Sequence, residues 1–359
     1  MAPGPRTSAD LPARPTLRDV AALARVSPQT VSNLLNGRTR TRPATRARVE
    51  QAIRELDYRP NAAARALRSQ QTRTIALLLE DPNALGLHDP LHTEFLHGAA
   101  AAAHDAGYYL NVVLTEPGET EAVGTRIATE RRADGLILSY AGVAPDRMGR
   151  VRRLVGNGVP VVMLQEQTSI PGVFTVSAED EEGAAQVVEH FHQLGHHRVA
   201  LVSAEPFWPG PTRRRAGFYR MADSLGLTTT EWTAEAYTIE ATRDVLRRHK
   251  LGGPDAPTAL LAFNDVMALG AVQHAYDIGL SVPGDVSIAG FNDFPFAAWV
   301  RPSITTVRLP GPEMGARAVN LLVAASEAQT AVETVTFRVE LVVRDSTGPA
   351  PDQAGTPRC

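Results

Sequence analysis

The sequence predicts a small three-helix domain followed by a two-lobed α/β core with parallel sheets. Three short segments within residues 16–60 carry apolar residues at helical spacing. From residue 74 onward, short apolar runs alternate with segments of helical pattern, which is typical of parallel sheets with helices on both faces. A chain of 359 residues has room for one small unit and two larger ones.

Composition excludes several classes of protein. The sequence contains no run of about eighteen apolar residues, and residues 1–15 lack a hydrophobic signal core. We therefore expect a soluble, cytoplasmic protein without a membrane partner. The single cysteine, Cys359, excludes an internal disulfide and a cysteine-based zinc site within one chain.

The net charge of −3 conceals an uneven distribution of charge along the chain. Residues 1–73 contain 14 arginines and 5 acidic residues, a balance of +9, so the remainder of the chain carries −12. All basic residues except Lys250 are arginine, and codon bias would explain that preference but not the clustering. The basic segment indicates that the N-terminal part binds a polyanion.

The first two helices of the small domain have recognisable start signals. Thr16 is a suitable N-cap, and an acidic residue three positions later, Asp19, gives a pattern close to a capping box. Ser27 can cap the second helix, with Pro28 in its first turn and the Asn-Gly pair at 36–37 as its end. The residues predicted to face inward are Val20, Leu23, Ala24, Val31, Leu34 and Leu35.

A third helix is predicted from residue 43 to about residue 57. Its inward-facing residues are expected to be Val49, Ala52, Ile53 and Leu56, and its exposed face carries Arg46, Arg48 and Arg54. The first two helices, separated by a brief turn, make a helix-turn-helix. Together with the local excess of arginine, this arrangement favours a DNA-binding domain over residues 16–60.

In such a domain the second helix enters the major groove, and its N-terminal side chains read base edges. We expect Pro28, Gln29 and Asn33 at the bases, because the amides of Gln and Asn can pair with the edge of adenine. Thr30 and Ser32 are expected to reach phosphates. The alternative is a helical hairpin inside a larger core, in which Gln29 and Asn33 are merely solvated.

The core is predicted from seven apolar runs that have the length and composition of buried strands. They cover residues 74–79, 109–114, 134–139, 160–165, 198–203, 259–263 and 286–291. About 270 residues of such repeats favour two lobes. Ligands of parallel α/β sheets bind at the carboxyl ends of the strands, so we expect a ligand in the cleft between the lobes.

The segment TLRDVAALARVSPQTVSNLLNG, together with LDYRPNAAARALRSQQT, resembles the headpiece of the lactose/galactose repressor family of bacterial transcription regulators. In that family the residues after RPN form a hinge helix, which orders on operator DNA and wedges a leucine into the minor groove. The resemblance assigns the hinge to residues 61–73, the wedge to Leu67, and the flanking positions to Asn61 and Ala64. Thr16, Ser27 and Arg46 complete the residues expected to contact DNA.

The headpiece departs from the family pattern before Pro43. Arg42 stands where the family has a serine-like helix cap, so either Thr41 caps the third helix or the arginine-rich loop contacts the DNA backbone. The residues at the specificity positions also differ from those of the best-known members. The operator sequence therefore does not follow from the resemblance.

The core resembles the effector-binding part of the same family, which is similar to periplasmic sugar-binding proteins. The motifs are LGHHRVALV, RRAGF, LLAFNDVMALGAV, VPGDVSIAGFND, PSITTVRLP and LVVRDST. By motif, Arg214 matches an effector-clamping arginine, Asn264 and Asn292 match polar groups that bind ligand hydroxyls, and Tyr237 matches an aromatic wall. Asn292 stands where most members carry Asp. The structural alternatives are that Asn264 caps a helix and that Arg214 pairs with a carboxylate.

Residues 86–97, GLHDPLHTEFLH, contain three histidines and two acidic residues, which raises the possibility of a metal site. His92 and His97 are five residues apart on the predicted helix, a poor spacing for joint coordination, and no HExxH motif is present. The family has an NPFF-like segment here that lines the effector cleft. The resemblance therefore places Asp89, Leu91 and His92 at the ligand, with no metal.

Other motifs favour structural roles. The acidic run 179–182 leads a helix and is interpreted as a complement to the helix dipole, and GHH at 195–197 as a glycine cap with polar turn residues. Phosphate-binding GxxxxGK and nucleophile GxSxG motifs are absent from the sequence. We therefore expect neither an enzyme nor a cofactor.

The resulting interpretation is a transcriptional regulator, most simply a nucleoid-associated repressor. Its operator affinity would be controlled by a small effector, expected to be a carbohydrate. The predicted parts are an arm at 1–15, a core at 74–347 and a disordered tail at 348–359. Lobe 1 is expected at about 74–178 and 310–337, and lobe 2 at about 179–309 and 338–347.

The chain is expected to bind a near-palindromic operator as a homodimer. Two alternatives remain, a sugar-binding protein without DNA contact and a metal-dependent enzyme.

Overall fold

The computed structural model describes most of the chain. The described residues are 15–35, 42–59, 71–80, 90–116, 118–140, 144–205, 208–249, 251–253, 255–326 and 333–351. The chain divides into two compact units, 1–72 and 73–359, which we describe separately as the headpiece and the core. Within the described ranges, no helix is both long and apolar enough to cross a membrane.

The headpiece contains three helices, α1 (Leu17–Ala24), α2 (Pro28–Leu35) and α3 (Pro43–Glu55). The predicted capping box is present, because Thr16 Oγ1 accepts the Asp19 N–H and Asp19 Oδ2 accepts the Thr16 N–H. Ser27 Oγ accepts the Thr30 N–H at 3.1 Å and so caps α2. Arg42 occupies the N-cap position of α3 without a side-chain cap, and Thr41 lies outside the described residues.

The headpiece core is built largely from small residues. Its buried members are Val20, Ala21, Ala24, Val31, Val49, Ala52 and Tyr58. The predictions for Leu23 and Leu35 are wrong, since these side chains are 47% and 36% exposed. On α1 the inward positions are taken by Val20, Ala21 and Ala24, so Leu23 faces outward. Leu34, Ile53 and Leu56 pack against this core, partly buried.

Lobe 1 of the core is organised around a six-stranded parallel sheet of order β11-β5-β4-β3-β1-β2. Its strands are β1 (Thr74–Glu80), β2 (Tyr109–Thr115), β3 (Gly135–Ser139), β4 (Val161–Leu164), β5 (Val173–Ala178) and β11 (Thr334–Phe337). Strands β1 and β2 are in register from Thr74 opposite Tyr109 to Glu80 opposite Thr115. The helices of this part of the chain are α4 (Pro90–Asp105), α5 (Thr120–Thr129), α6 (Ala144–Val155) and α11 (Gly311–Ser326).

Lobe 2 is organised around a four-stranded parallel sheet of order β7-β6-β8-β9. Its strands are β6 (Arg198–Ala204), β7 (Thr228–Ala234), β8 (Ala259–Ala262) and β9 (Ser287–Ala289). Its helices are α7 (Asp180–Gln193), α8 (Pro209–Ser224), α9 (Ile239–Arg248) and α10 (Asp265–Asp277), with a short 3₁₀ helix at Pro295–Ala298. An antiparallel pair, β10 (Thr306–Arg308) and β12 (Glu340–Val342), completes the described strands.

The chain passes between the lobes after β5, after β10 and after β11, so three segments join them. Each lobe contains a close helix pair that depends on glycine. A Cβ on Gly217 of α8 would lie 1.9 Å from the Glu181 carbonyl oxygen of α7. A Cβ on Gly315 of α11 would lie 2.1 Å from the Phe95 carbonyl oxygen of α4. Both pairs would have to separate if these glycines carried side chains.

The seven predicted strands are present, with β9 shorter than the predicted run 286–291. Five strands were missed: β5, β7, β10, β11 and β12. Strands β10, β11 and β12 are short and β7 is rich in threonine, so their apolar pattern is weak. Strand β5, VFTVSA, has the apolar content of a buried strand and could have been predicted. The prediction of disorder is wrong for residues 348–350, because the Gly348 carbonyl accepts from His196 or Ser287 and the Ala350 N–H donates to the Leu194 carbonyl.

Candidate functional site

The N-terminal turns of α2 present the polar side chains predicted to read DNA. Gln29 is exposed and Asn33 half-buried, and Gln29 Nε2 donates a hydrogen bond of 2.8 Å to Asn33 Oδ1. This bond fixes the two amides relative to each other and leaves Gln29 Oε1 and Asn33 Nδ2 as groups that can meet a base edge. Thr30 and Ser27 share a hydrogen bond of 2.9 Å beside them.

Basic side chains accompany this surface within the headpiece. Arg46, Arg48 and Arg54 of α3 are exposed, as predicted. Thr16 is also exposed, but its hydroxyl donates to Asp19 Oδ2 at 2.8 Å, so its first role is to cap α1. Asn61, Ala64 and Leu67 lie outside the described residues, and their hinge role stays a prediction.

A pocket of about 520 Å³, open solvent at its mouth included, lies between the lobes of the core. Its described lining consists of Leu91, His92, Ser139, Gln165, Trp208, Gly210, Pro211, Arg214, Tyr237, Phe263, Asn264 and Asn292. Six of these residues, Leu91, His92, Arg214, Tyr237, Asn264 and Asn292, were predicted from the sequence to contact the effector. The seventh, Asp89, lies outside the described residues.

Both lobes contribute to the pocket wall. From lobe 1 come the first turn of α4, with Leu91 and His92, and the ends of β3 and β4, with Ser139 and Gln165. The two lobes meet where the buried ring of His92 contacts the ring of Trp208 edge to face, with centroids 5.8 Å apart. They meet again where Arg213 Nη2 donates to the Gln165 carbonyl at 3.0 Å. A bound ligand would therefore contact both lobes.

Arg214 is held rigidly in the wall of the pocket. It is 2% exposed, its Nε donates to Asp180 Oδ1 at 2.9 Å, and its Nη2 donates to Asn292 Oδ1 at 2.9 Å. Nη1 donates to the Phe263 carbonyl, and the guanidinium lies 3.8 Å from the centroid of the Phe291 ring. The structural alternative for Arg214 is therefore correct, although the residue also lines the pocket. Burial lowers its pKa, and Asp180 opposes that shift.

Asn264 and Tyr237 also have structural partners. Asn264 Oδ1 accepts the Met267 N–H at 2.9 Å and caps α10, which is the alternative left open from the sequence. Tyr237 donates its hydroxyl to the Ala204 carbonyl at 3.2 Å and stacks on Phe263. Burial raises the pKa of Tyr237 above its ordinary value, so the phenol stays neutral. Both residues contribute a fixed wall, and ligand contact by either stays a prediction.

Six lining residues were missed from the sequence: Ser139, Gln165, Trp208, Gly210, Pro211 and Phe263. Ser139 and Gln165 end or follow predicted parallel strands, a position that could have pointed to them. Gln165 has a positive φ of 61° and is 5% exposed, and its Nε2 is buried without a hydrogen-bond partner in the described part of the chain. Trp208 carried no sequence signal; it is the N-cap residue of α8.

The interpretation of the acidic run 179–182 needs correction at Asp180. This carboxylate is fully buried, with Arg213 Nη2 at 2.7 Å on one oxygen and Arg214 Nε at 2.9 Å on the other. A buried carboxylate without partners would be very unfavourable, so the two guanidiniums are what stabilise Asp180 in this position. Asp180 therefore positions the pocket arginine, in addition to any effect on the helix dipole.

A second buried carboxylate, Asp265, lies close behind Asn264. It accepts hydrogen bonds from the Thr306 hydroxyl and, at 2.8 Å, from the Phe294 N–H. Burial raises the pKa of Asp265 to about 7, against the lowering effect of these two hydrogen bonds. Its charge near neutral pH therefore varies with small changes around it.

The two histidine-containing motifs have structural explanations. No group of three or more His, Cys, Asp or Glu suited to a metal is found in the ranges that the structure describes, and His92 contacts Trp208. Gly195 has φ 88° and caps α7 as predicted. His196 is not a simple turn residue, because it is fully buried and makes hydrogen bonds to Thr258, Ser287 or Gly348. Burial lowers its pKa.

A helix-turn-helix headpiece joined to a two-lobed core with a central pocket defines the class of ligand-responsive DNA-binding regulators. The model for bacterial regulatory proteins of the lacI family matches residues 16–61, and that for the periplasmic binding protein-like domain matches residues 188–347. The transcriptional regulator MalR of Streptomyces coelicolor is 34% identical, over 95% of this chain and 99% of that protein. The chain therefore belongs to the lacI family of bacterial transcription regulators.

Solved structures agree with this assignment. The lac repressor dimer bound to operator and the anti-inducer ONPF has a TM-score of 0.81 at 28% identity, over 93% of this chain and 99% of that one. The complex of the transcriptional regulator CelR with cellobiose has a TM-score of 0.68 at 28% identity, over 93% of this chain and 100% of that one. The relatives are transcriptional regulators rather than enzymes.

Proposed function

We propose that this regulator is a repressor whose operator affinity is controlled by a carbohydrate bound between the lobes of its core. The observation that carries the proposal is the composition of the pocket, in which a fixed arginine and three side-chain amides stand among the rings of Trp208, Tyr237 and Phe263. Amides and guanidinium suit a ligand with many oxygen atoms, and aromatic walls suit the face of a sugar ring. The cellobiose bound to CelR is consistent with this chemistry.

Operator recognition would use the face of α2. Gln29 and Asn33 are the proposed base-reading side chains, with Thr30 and Ser32 at phosphates and Arg46 at the backbone. The hinge at 61–73 would place Leu67 in the minor groove, where an apolar wedge costs a few kcal/mol of unstacking that a bent duplex repays through further contacts. A dimer, as in the lac repressor complex with operator, would require a near-palindromic site.

Control would operate through the arrangement of the lobes. A ligand that contacts His92 and Gln165 on lobe 1 and Arg214 on lobe 2 favours the lobe arrangement that brings those groups together. The hydrogen bond from Arg213 to the Gln165 carbonyl is an interaction that would change if the lobes moved. In a dimer such a movement would alter the spacing of the two hinges, and a coupling of about 1–3 kcal/mol would change operator affinity 5–150-fold.

The experiment is a two-stage screen on the full chain. Mono- and disaccharides are first tested for a rise in melting temperature, because a ligand that binds the native state stabilises it. Those that bind are then added to a gel-shift assay on an operator selected from random duplexes. The proposal predicts that at least one binding sugar changes operator affinity. Binding sugars that leave the operator complex unchanged would contradict it.

The second candidate is a metal-dependent enzyme, which would convert a sugar rather than respond to it in DNA binding. Turnover of a sugar, abolished by a chelator, would support the enzyme and not the repressor. The described residues of 86–97 favour the repressor, since His92 packs on Trp208 at the pocket and His97 is exposed.

A further inference from the structure

The polar side chains that line the pocket face it mostly with hydrogen-bond donors. Two of the three lining amides use their oxygens within the protein. Asn264 Oδ1 accepts the Met267 N–H, and Asn292 Oδ1 accepts from Arg214 Nη2, both at 2.9 Å. These amides therefore keep their NH₂ groups for a ligand.

The side-chain oxygen of Gln165 also meets a donor of the protein, at a longer distance. Arg213 Nη2 lies 3.5 Å from Gln165 Oε1, and because a guanidinium can only donate, it fixes the oxygen on that side. Nε2 of Gln165 is buried at the pocket wall and meets no acceptor within the described ranges. A buried donor without an acceptor is unfavourable, and a ligand oxygen that reaches Nε2 would relieve this cost.

The charge of the wall is positive. None of the described lining residues is Asp or Glu, and Arg214 is the one arginine or lysine among them. Behind the wall, the single carboxylate of Asp180 is shared by Arg213 and Arg214, so one guanidinium charge is not balanced by it. Asp265 could supply the balance, but burial raises its pKa to about 7, so it is only partly ionised at neutral pH.

Three helices begin at the pocket and add to this field. Leu91 and His92 belong to the first turn of α4, Gly210 and Pro211 to the first turn of α8, and Asn264 is the N-cap of α10. The N-terminal end of a helix carries a partial positive charge and unpaired N–H groups. By itself this feature would not identify a ligand, but it agrees in sign with the buried Gln165 donor.

We propose that the ligand is a sugar acid, whose carboxylate binds at the wall formed by Gln165 and Arg214. A carboxylate only accepts hydrogen bonds and carries one negative charge, which matches a donor-rich wall with one guanidinium charge to balance. The hydroxyl groups of the same molecule would meet the remaining amides and Ser139. This inference rests on the proposed function and narrows its ligand from carbohydrates in general to those with an anionic group.

The test compares matched sugars on the full chain by thermal shift and calorimetry. The pairs are glucose with glucuronate and gluconate, galactose with galacturonate, maltose with maltobionate, and cellobiose with cellobionate. We expect at least one acid to raise the melting temperature at concentrations where its neutral partner does not. Neutral sugars that bind as well as their acids, sugar phosphates that bind better, or a complete lack of binding by the acids would each overturn the proposal.

Variants of Gln165 separate charge recognition from packing. Gln165→Glu replaces the donor by a carboxylate and is expected to weaken the acid about tenfold or more, with little effect on any neutral sugar that binds. Gln193→Glu, at an exposed position in the last turn of α7, makes the same change away from the pocket and serves as the control. Gln165→Met removes the donor without adding charge and should give a smaller loss, including where the Glu variant does not fold. Equal affinities in the Met variant and the wild type would contradict the role of Nε2.

Failure of this inference differs from failure of the proposed function. An acid that binds without changing operator affinity would keep the sugar-acid assignment and contradict control of the operator. A neutral sugar that binds and changes operator affinity would contradict the sugar-acid assignment and support control of the operator.

Discussion

His92 of lobe 1 and Trp208 of lobe 2 touch across the pocket, with their ring centroids 5.8 Å apart and their planes inclined at 69°. His92 is 2% exposed, although it lies in the first turn of its helix. This contact joins residues that are 116 positions apart in the sequence and belong to different lobes. It makes His92 part of the lobe interface as well as of the pocket.

Replacing His92 by Ala is expected to reduce the response of operator binding to the ligand, because the variant loses a pocket wall and the contact with Trp208. The headpiece is unchanged in this variant, so it should still bind the operator without ligand. The measurement is a gel shift with increasing ligand, with His97→Ala as a control at an exposed position of the same helix. Stoichiometric zinc in the purified protein, lost together with activity in the His92 variant, would contradict this account.

Base-reading and phosphate-binding residues of the headpiece should respond differently to substitution. Gln29→Ala or Asn33→Ala should weaken cognate DNA by about 1–3 kcal/mol and random DNA much less. Arg46→Ala should weaken both DNAs alike and lower the salt dependence of binding. Gln51→Ala, at an exposed glutamine of α3, is the matched control. Equal losses on both DNAs for all three variants would refute the groove assignment of α2.

The buried carboxylate of Asp180 should matter greatly for stability. Asp180→Asn leaves two guanidiniums near the pocket without their shared counter-charge, and we expect a loss of about 3–5 kcal/mol in the free energy of unfolding. Glu182→Gln, which affects an exposed pair with Arg220, should cost less than about 1 kcal/mol. Urea denaturation of the full chain measures both. Similar small losses would mean that the Asp180 cluster is not stabilising.

The stability of the core should fall on mild acidification. The pKa of His196 is lowered in the folded protein by burial, so between that value and its unfolded pKa the unfolded chain binds more protons. The contribution of His196 to the free energy of unfolding is complete above the unfolded pKa. It is lost as pH falls from that value through the lower folded pKa. His190 and His274 have pKa values lowered in the same direction by burial. Asp265 acts oppositely, because its raised pKa makes the folded state bind the proton as pH falls from about 7.

A single variant isolates the histidine contribution. His196→Gln removes the titrating group, so its free energy of unfolding should change less between pH 7.5 and pH 5.5 than that of the wild type. Urea titrations of both proteins at the two pH values give this difference. An unchanged pH dependence in the variant would show that His196 does not titrate in this range.

Strong periodic signals explain what could be predicted from the sequence. The runs 74–79 and 198–203 are continuous apolar segments, and both are buried central strands. The caps of α1 and α2 depend on local contacts of Thr16 and Ser27, which a sequence window contains. Strand β7 was missed because TTTEWTA has too few apolar residues to show a pattern.

Pocket residues were predicted from the sequence only where they belong to a recognisable family motif. Asn264 and Asn292 come from recognisable strand-end segments, whereas Gln165 and Trp208 depend on how two lobes fold together. The same reason explains Asp180, since its arginine partners lie more than thirty positions away along the chain. Exposure of Leu23 was missed because the helical pattern alone does not tell which of two adjacent faces the neighbouring helices cover.

The decisive measurement is the dissociation constant of the full chain for an operator selected from random duplexes, determined by fluorescence anisotropy. The measurement is made with and without the ligand that most raises the melting temperature. The account predicts a change of about 5–150-fold on adding that ligand, and a much smaller change in the Gln165→Glu variant. An operator dissociation constant that is the same with saturating ligand and without it would contradict control of DNA binding through this pocket.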